Sequence, residues 1–166
     1  ALKHHGYPDA SLSVTYLGFR RATIANLILS TDIRARKIEA TYALSGFRAK
    51  RLESLHVIGF HIIDNSSSAP SRKEFAIPII AIPVDRSRLT GSHATLQTGG
   101  GAVDVDFDGA LTRRDDGASD VQISAAIKSG LHTASFDATG IVTTIPMQSQ
   151  EITATITGAL QFDDLK

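Results

Sequence analysis

Apolar and polar residues alternate along most of this chain, the period-two pattern of strands with one covered face. Leu12, Val14 and Tyr16 alternate, then Leu17 and Phe19 change phase around Gly18, which predicts a turn or bulge. Residues 22–29 give a second strand. Ile33 and Ala35 lie in one phase and Ile38, Ala40, Tyr42 and Leu44 in the other, so a bulge is expected near Arg36 and Lys37. Residues 41–65 organise the first half: a strand end, a short turn or helical turn over 44–50, then one long strand. In that strand Leu55 and Val57 are expected on one face and Ile58, Phe60 and Ile62 on the other. Each face then needs a cover, either protein or a bound apolar ligand.

The second half is more regular. Residues 84–96 predict two short strands around Thr90-Gly91-Ser92, and Gly99-Gly100-Gly101 is a turn. Val103, Val105 and Phe107 alternate with Asp104, Asp106 and Asp108. Residues 113–117 (RRDDG) form a hairpin turn. Val121, Ile123, Ala125 and Ile127 alternate with polar residues, Ala134, Phe136 and Ala138 continue the pattern, and Ile141, Thr143 and Ile145 lead to Pro146. The cleanest strand is the last, with Ile152, Ala154, Ile156, Gly158, Leu160 and Phe162 in one phase. The expected fold is all-β, an antiparallel meander of about ten to twelve strands. At ~4.8 Å per strand such a sheet is roughly 50–60 Å wide, so it must curl, split into a β-sandwich or have its apolar face covered.

Two stretches depart from this pattern. ALKHH followed by Gly6 and Pro8 is a helix stop over residues 1–7, too short to stand alone, and a preceding helix is expected. Residues 64–74 (DNSSSAPSRKE) have linker composition. The chain is therefore one β-rich segment, 1–166, with possible halves 1–64 and 75–166 joined by the Ser-rich loop 65–74. Pro78 and Pro83 make 75–83 an edge-like or irregular extended stretch.

Charge adds one asymmetry. The formal net charge is zero, but residues 1–75 hold 11 basic and 6 acidic side chains and residues 76–166 hold 6 and 11. Such a division points to an end that meets an anionic surface, or to two ordinary solvated faces. With no cysteine there is no disulfide and no thiolate metal site. No apolar run approaches the ~20 residues of a membrane-spanning helix.

Candidate chemistry is sparse. Asp104-Val105-Asp106-Phe107-Asp108-Gly109 matches the start of a calcium-binding EF-hand loop. Its alternating Val103, Val105 and Phe107 make it a strand instead, and Asp115 stands where a bidentate Glu is needed. His56 and His61 are expected on opposite faces of one strand, so they do not share a metal, and His4 and His5 diverge. Ser66-Ser67-Ser68 has no base beside it, and Gly99–Gly101 has no following helix to hold a phosphate. No catalytic constellation, metal site or cofactor is expected. The basic residues lack the aromatic interleaving of a nucleic-acid platform. Arg48, Lys50 and Arg51, with Arg20, Arg21, Arg34, Arg36 and Lys37, are candidates for contact with lipid headgroups, or else exposed strand residues.

The chain resembles the start of the periplasmic part of YdbH-type proteins, in the AsmA-like group of bridge-like lipid transfer proteins. The matching stretches are Gly6-Tyr7-Pro8 after a helix end, LSVTYLGFRRATIANLILS, DIRARKIEATYALSGFRAKRLESLHVIGFHI, VDFDGAL, SFDATGIVTTI and ITATITGALQFDDL. Asp108-Gly109-Ala110-Leu111 and Thr157-Gly158-Ala159-Leu160 suggest an internal repeat of about fifty residues. Family members are far longer. The resemblance implies an open U-shaped β groove whose apolar face shelters phospholipid acyl chains between inner and outer membranes. It also implies a membrane anchor ahead of Ala1, more groove after Lys166, and an outer-membrane partner protein.

Two functions follow. In the first, Phe60, Ile62, Val121, Ile123, Ile127, Phe136, Ile152, Ile156 and Leu160 line a lipid groove. The same alternation also suits a closed sandwich core. In the second, the chain is a β-rich periplasmic module that binds a protein partner through an exposed edge and carries no lipid.

Overall fold

A computed structural model places the chain in one nine-stranded sheet. It describes residues 9–43, 45, 51–64, 84–99, 101–144 and 152–163, with the backbone alone for 143, 144 and 152–163. The strands are β1 (Ser11–Leu17), β2 (Arg21–Ile28), β3 (Ile33–Thr41), β4 (Leu52–Asp64), β5 (Val84–Thr98), β6 (Gly101–Arg113), β7 (Ser119–Ser129), β8 (His132–Thr144) and β9 (Ile152–Asp163). They lie side by side in chain order, and β1 does not pair with β9, so the sheet is not closed.

Every neighbouring pair is antiparallel except β4 and β5, which run parallel. The expected pure meander is corrected at this junction. A parallel pair needs a crossover of a dozen or more residues, and residues 65–83 are long enough to supply one. Nine strands lie among the described residues, and the extended stretch expected over 75–83 falls outside them. Where two short strands were expected, β5 runs unbroken from Val84 to Thr98 and absorbs Thr90-Gly91 as an irregularity between Leu89 and Ser92. The helix stop at 1–7, most of the turn at 44–50 and the stretch 65–83 lie outside the described residues.

Tight turns join the later strands. Gly117 (φ 85) closes the turn after Arg113, as its sequence predicts, and Thr98 pairs with Gly101 (φ 118). Ser129 pairs with His132 across Gly130-Leu131, and the positive φ of 61 at Gly130 suits the first central position of a two-residue hairpin.

The phase changes in β2 to β5 share one structural cause, and the one in β1 has its own, an irregularity between Val14 and Tyr16. Asn26, Gly59 and Gly91 have φ of 52, 65 and 58. The registers set Asn26 opposite Arg36, Arg36 opposite Gly59, and Gly59 beside Gly91. These residues form a crease that crosses β2 to β5 at one height. At its far side the regular strand β6 pairs Gly109 with Leu89 and Phe107 with Ser92. Leu89 and Ser92, three residues apart, therefore share a face. Carried back through the registers, Val57 shares that face with Phe60, Ile38 with Ala35, and Ile24 with Leu27. The expectation that β4 is apolar on both faces is thus corrected. Leu55, Val57, Phe60 and Ile62 lie on one face, and Ile58 lies on the other with Lys37 and Thr90.

The result is one apolar face. One cross-strand row runs Val14, Ile24, Ile38, Val57, Leu89, Gly109, Ile123, Ala138. The next runs Leu17, Ala22, Ala40, Leu55, Ser87, Leu111, Val121, Gly140. The first row continues to Gly158, so the two Gly-Ala-Leu phrases meet at one height. They sit on strands running in opposite directions, so they are not copies related by translation along the sheet.

Candidate functional site

Among the described residues the buried apolar side chains are Ala35, Tyr42, Ala118 and Ala138. The larger side chains of the apolar face, Val57, Phe60, Ile62, Leu89, Val121, Ile123, Ile127 and Phe136, are half-buried. A sandwich core of this composition would remove them almost wholly from water. The described residues therefore form one layer, with no second sheet packed on this face.

All nine candidate groove residues fall on this face. Phe60 and Ile62 reach it through the crease, and Val121, Ile123 and Ile127 by simple alternation on β7. Phe136 pairs with Ala125 and with the position of Leu160. Ile152 and Ile156 hold register positions on the same face of β9. A depression of about 280 Å³ on it is lined by Val57, Leu89, Leu111, Val121 and Ile123.

A larger depression, about 740 Å³, lies on the opposite face between Arg88, Asp108, Gln122, Ser124, Asp137 and Thr139. Its charged rim makes it a poor seat for hydrocarbon, because burying those groups against an apolar chain leaves them unpaired. This opposite face is polar and divided in charge. Arg21, Arg34, Lys37, Arg86 and Arg88 lie on β2 to β5, and Asp104, Asp106, Asp108, Asp120 and Asp137 on β6 to β8. The charge asymmetry of the two halves of the sequence becomes a left–right asymmetry of one surface.

His56 and His61 both lie on this polar face, because the crease between them reverses the alternation; their expected separation is corrected. His61 stands between Arg34 and His93. Arg34 Nη2 is 3.4 Å from His61 Nδ1, and the two imidazoles meet edge to face with centroids 5.1 Å apart. Burial, then the Arg34 guanidinium and His93, hold the His61 imidazole below its usual range. His93 Nδ1 lies 2.7 Å from Asp106 Oδ1, and that hydrogen bond holds Asp106 below the usual carboxylate range.

The EF-hand-like aspartates lie along β6 as strand residues and face three different partners. Thr95 Oγ1 donates to Asp104 at 2.8 Å, His93 bonds Asp106, and the Gly91 amide donates to Asp108 at 2.6 Å. Among the described residues no group of three or more His, Asp or Glu side chains is placed to hold a metal ion.

Of the candidate membrane-surface residues, Arg48 and Lys50 lie outside the described residues. Arg51 is exposed and its Nε donates to Asp85 at 2.8 Å, so its charge is already compensated.

Two features escaped the sequence. Tyr42 is 6% exposed and pins the β1–β2 turn: its hydroxyl donates to the Gly18 carbonyl and its amide to the Arg20 carbonyl at 3.0 Å. The nearby Gly18-Phe19 turn signal was visible, but not its partner 24 residues away. Ser92 is 2% exposed, and its Oγ has no hydrogen-bond partner among the described residues. No protein-family model, characterised protein or solved structure matches the chain.

Proposed function

We propose that this chain is a segment of a bridge-like lipid transfer protein, of the YdbH-type AsmA-like group it resembles. In this reading the sheet curls into an open U-shaped groove with its apolar face inward. Phospholipid acyl chains lie along that face while headgroups remain in water. The segment works in the periplasm, close to an inner-membrane anchor, and lipid continues toward a partner at the outer membrane. The task is conduction, which needs a continuous apolar track and no catalytic residue.

One observation carries the reading: an apolar face crosses the sheet from β1 to β8 with its large side chains only half-buried. Apolar surface of this extent, with no packed layer on it among the described residues, is what a hydrocarbon ligand requires. The test is mass spectrometry of organic extracts of the purified chain against a matched soluble β protein. Phospholipid at stoichiometric level supports the groove. Lipid no higher than in the control removes the support.

A second reading is favoured by β1, in which all seven residues are exposed and none is charged. Such an edge is open to pairing with a strand from a partner protein. In that case the extracts contain no lipid, and a partner strand protects β1 amides from hydrogen exchange.

A further inference from the structure

The β1–β2 turn presents Phe19 82% exposed beside Leu17 at 74%. It is a fixed turn: Gly18 donates its amide to the Arg21 carbonyl at 2.9 Å, and buried Tyr42 bonds both Gly18 and Arg20. Phe19 is therefore held outward on a frame, where no described residue takes its ring from water.

Arginines gather at the same end of the sheet. Arg21, Thr41, Ser54 and Arg86 form one cross-strand row, so the two arginines stand about 14 Å apart, three strand spacings. Arg20 in the turn and Arg113 at the end of β6 extend the set. All four are exposed, and among the described residues none has a carboxylate within 4.0 Å. Arg21 lies over the Tyr16 ring, 5.2 Å from its centroid, and its nearest carboxylate influence is the longer-range attraction of Glu39. Carboxylates share this end: Asp85 pairs with Arg51, Asp116 and Asp120 with Arg114, and Glu53 and Asp115 lie near them. At the opposite end Leu131 is 98% exposed, and no arginine accompanies it.

A fixed apolar tip flanked on one side by exposed guanidinium groups matches the chemistry of an anionic lipid surface. The tip gains by leaving water, and each planar fork fits phosphate oxygens. We infer that this end of the sheet docks on an anionic phospholipid bilayer. Leu17 and Phe19 enter the interface, and Arg20, Arg21, Arg86 and Arg113 pair with headgroup phosphates. This surface is separate from the apolar sheet face and does not require the sheet to carry lipid.

The chain has no tryptophan, so Phe19→Trp supplies a single reporter. The expected result is a blue shift and co-sedimentation with vesicles of phosphatidylcholine plus phosphatidylglycerol. Both effects should vanish at about 1 M salt, where screening acts within ~3 Å. In the native chain, Arg20→Ala with Arg113→Ala should weaken binding about 25-fold, roughly fivefold for each arginine. An equal shift with phosphatidylcholine alone overturns the role of the arginines. No shift with either vesicle overturns the inference and marks Phe19 as a protein contact. Lipid in extracts with no vesicle binding removes the docking surface and leaves the groove reading standing, and the reverse result separates the two in the other direction.

Discussion

His61 and His93 meet across the one parallel junction among the described strands, edge to face at an interplanar angle of 70°. Arg34 borders the pair from β3, while Asp104, Asp106 and Lys128 border it from β6 and β7. A histidine held below its ordinary value of 6.5 binds fewer protons folded than unfolded in the window beneath that value. Stability should therefore fall as pH drops from about 6.5 through the folded pKa. Asp106 acts in a lower window: its contribution is complete above its ordinary value of 3.8 and is lost as pH falls through its depressed folded pKa. Thermal unfolding at about pH 7.5 and 5.5 should show a lower Tm at the acidic point, with a smaller drop in His61→Gln. An equal drop in the variant places the acid sensitivity elsewhere.

Gly59 should tolerate no side chain. Its φ is +65, and an added Cβ would stand 3.0 Å from Arg36 Cβ. Gly59→Ala should destabilise by about 1–3 kcal/mol from backbone conformation and crowding together. Asn26→Gly, at the same height on β2, should change stability by only a few tenths of a kcal/mol, roughly the cost of glycine's extra chain freedom. Denaturant titration of the two variants distinguishes a crease that needs these conformations from one that is incidental.

Ser92→Ala should stabilise the chain. A buried hydroxyl without a partner costs about 1–3 kcal/mol, and alanine removes it with little change in volume. A gain of 1 kcal/mol corresponds to roughly 2–4 °C in Tm for a chain of this size. A loss of stability instead would show that the hydroxyl has a bonding partner.

Ile123 and Ala138 pair on neighbouring strands of the apolar face but differ in burial, Ala138 being 4% exposed and Ile123 half-buried. Ile123→Asp should cost under about 2 kcal/mol, because its carboxylate keeps contact with water. Ala138→Asp should cost about 3 kcal/mol or more as a buried charge. Under the groove reading Ile123→Asp also removes copurifying lipid from a still-folded chain, as judged by circular dichroism alongside extraction. Outright unfolding by Ile123→Asp would assign it to a closed core.

The sequence revealed the strands of the second half well. Apart from Gly101 at the first position of β6, β6 to β8 contain no positive-φ residue, so plain alternation gives their faces correctly, from Val103 to Val142. It misled in β2, β4 and β5, where one residue in the left-handed region, Asn26, Gly59 or Gly91, reverses alternation. Gly59 and Gly91 could have signalled this, since glycine inside a strand often marks a bulge. Asn26 could not, because it looks like an ordinary polar position, whereas the phase change between Ala35 and Ile38 did mark an irregularity near Arg36 and Lys37. The parallel pairing of β4 and β5 was equally hidden, as it depends on where the intervening chain goes rather than on either strand. The Tyr42 clamp and the arginine row are long-range effects of register, which periodicity does not encode.

Because the described strands stack in chain order and each approaches only its immediate neighbours, the architecture has no natural length. Duplicating one hairpin of a regular pair such as β7 and β8 would insert two more tiers without asking any distant residue to move. Its stability would change by a local increment, as in solenoid proteins. The ancestry of such a sheet is then open to tandem growth, and span can evolve by counting hairpins, with no redesign of a shared core.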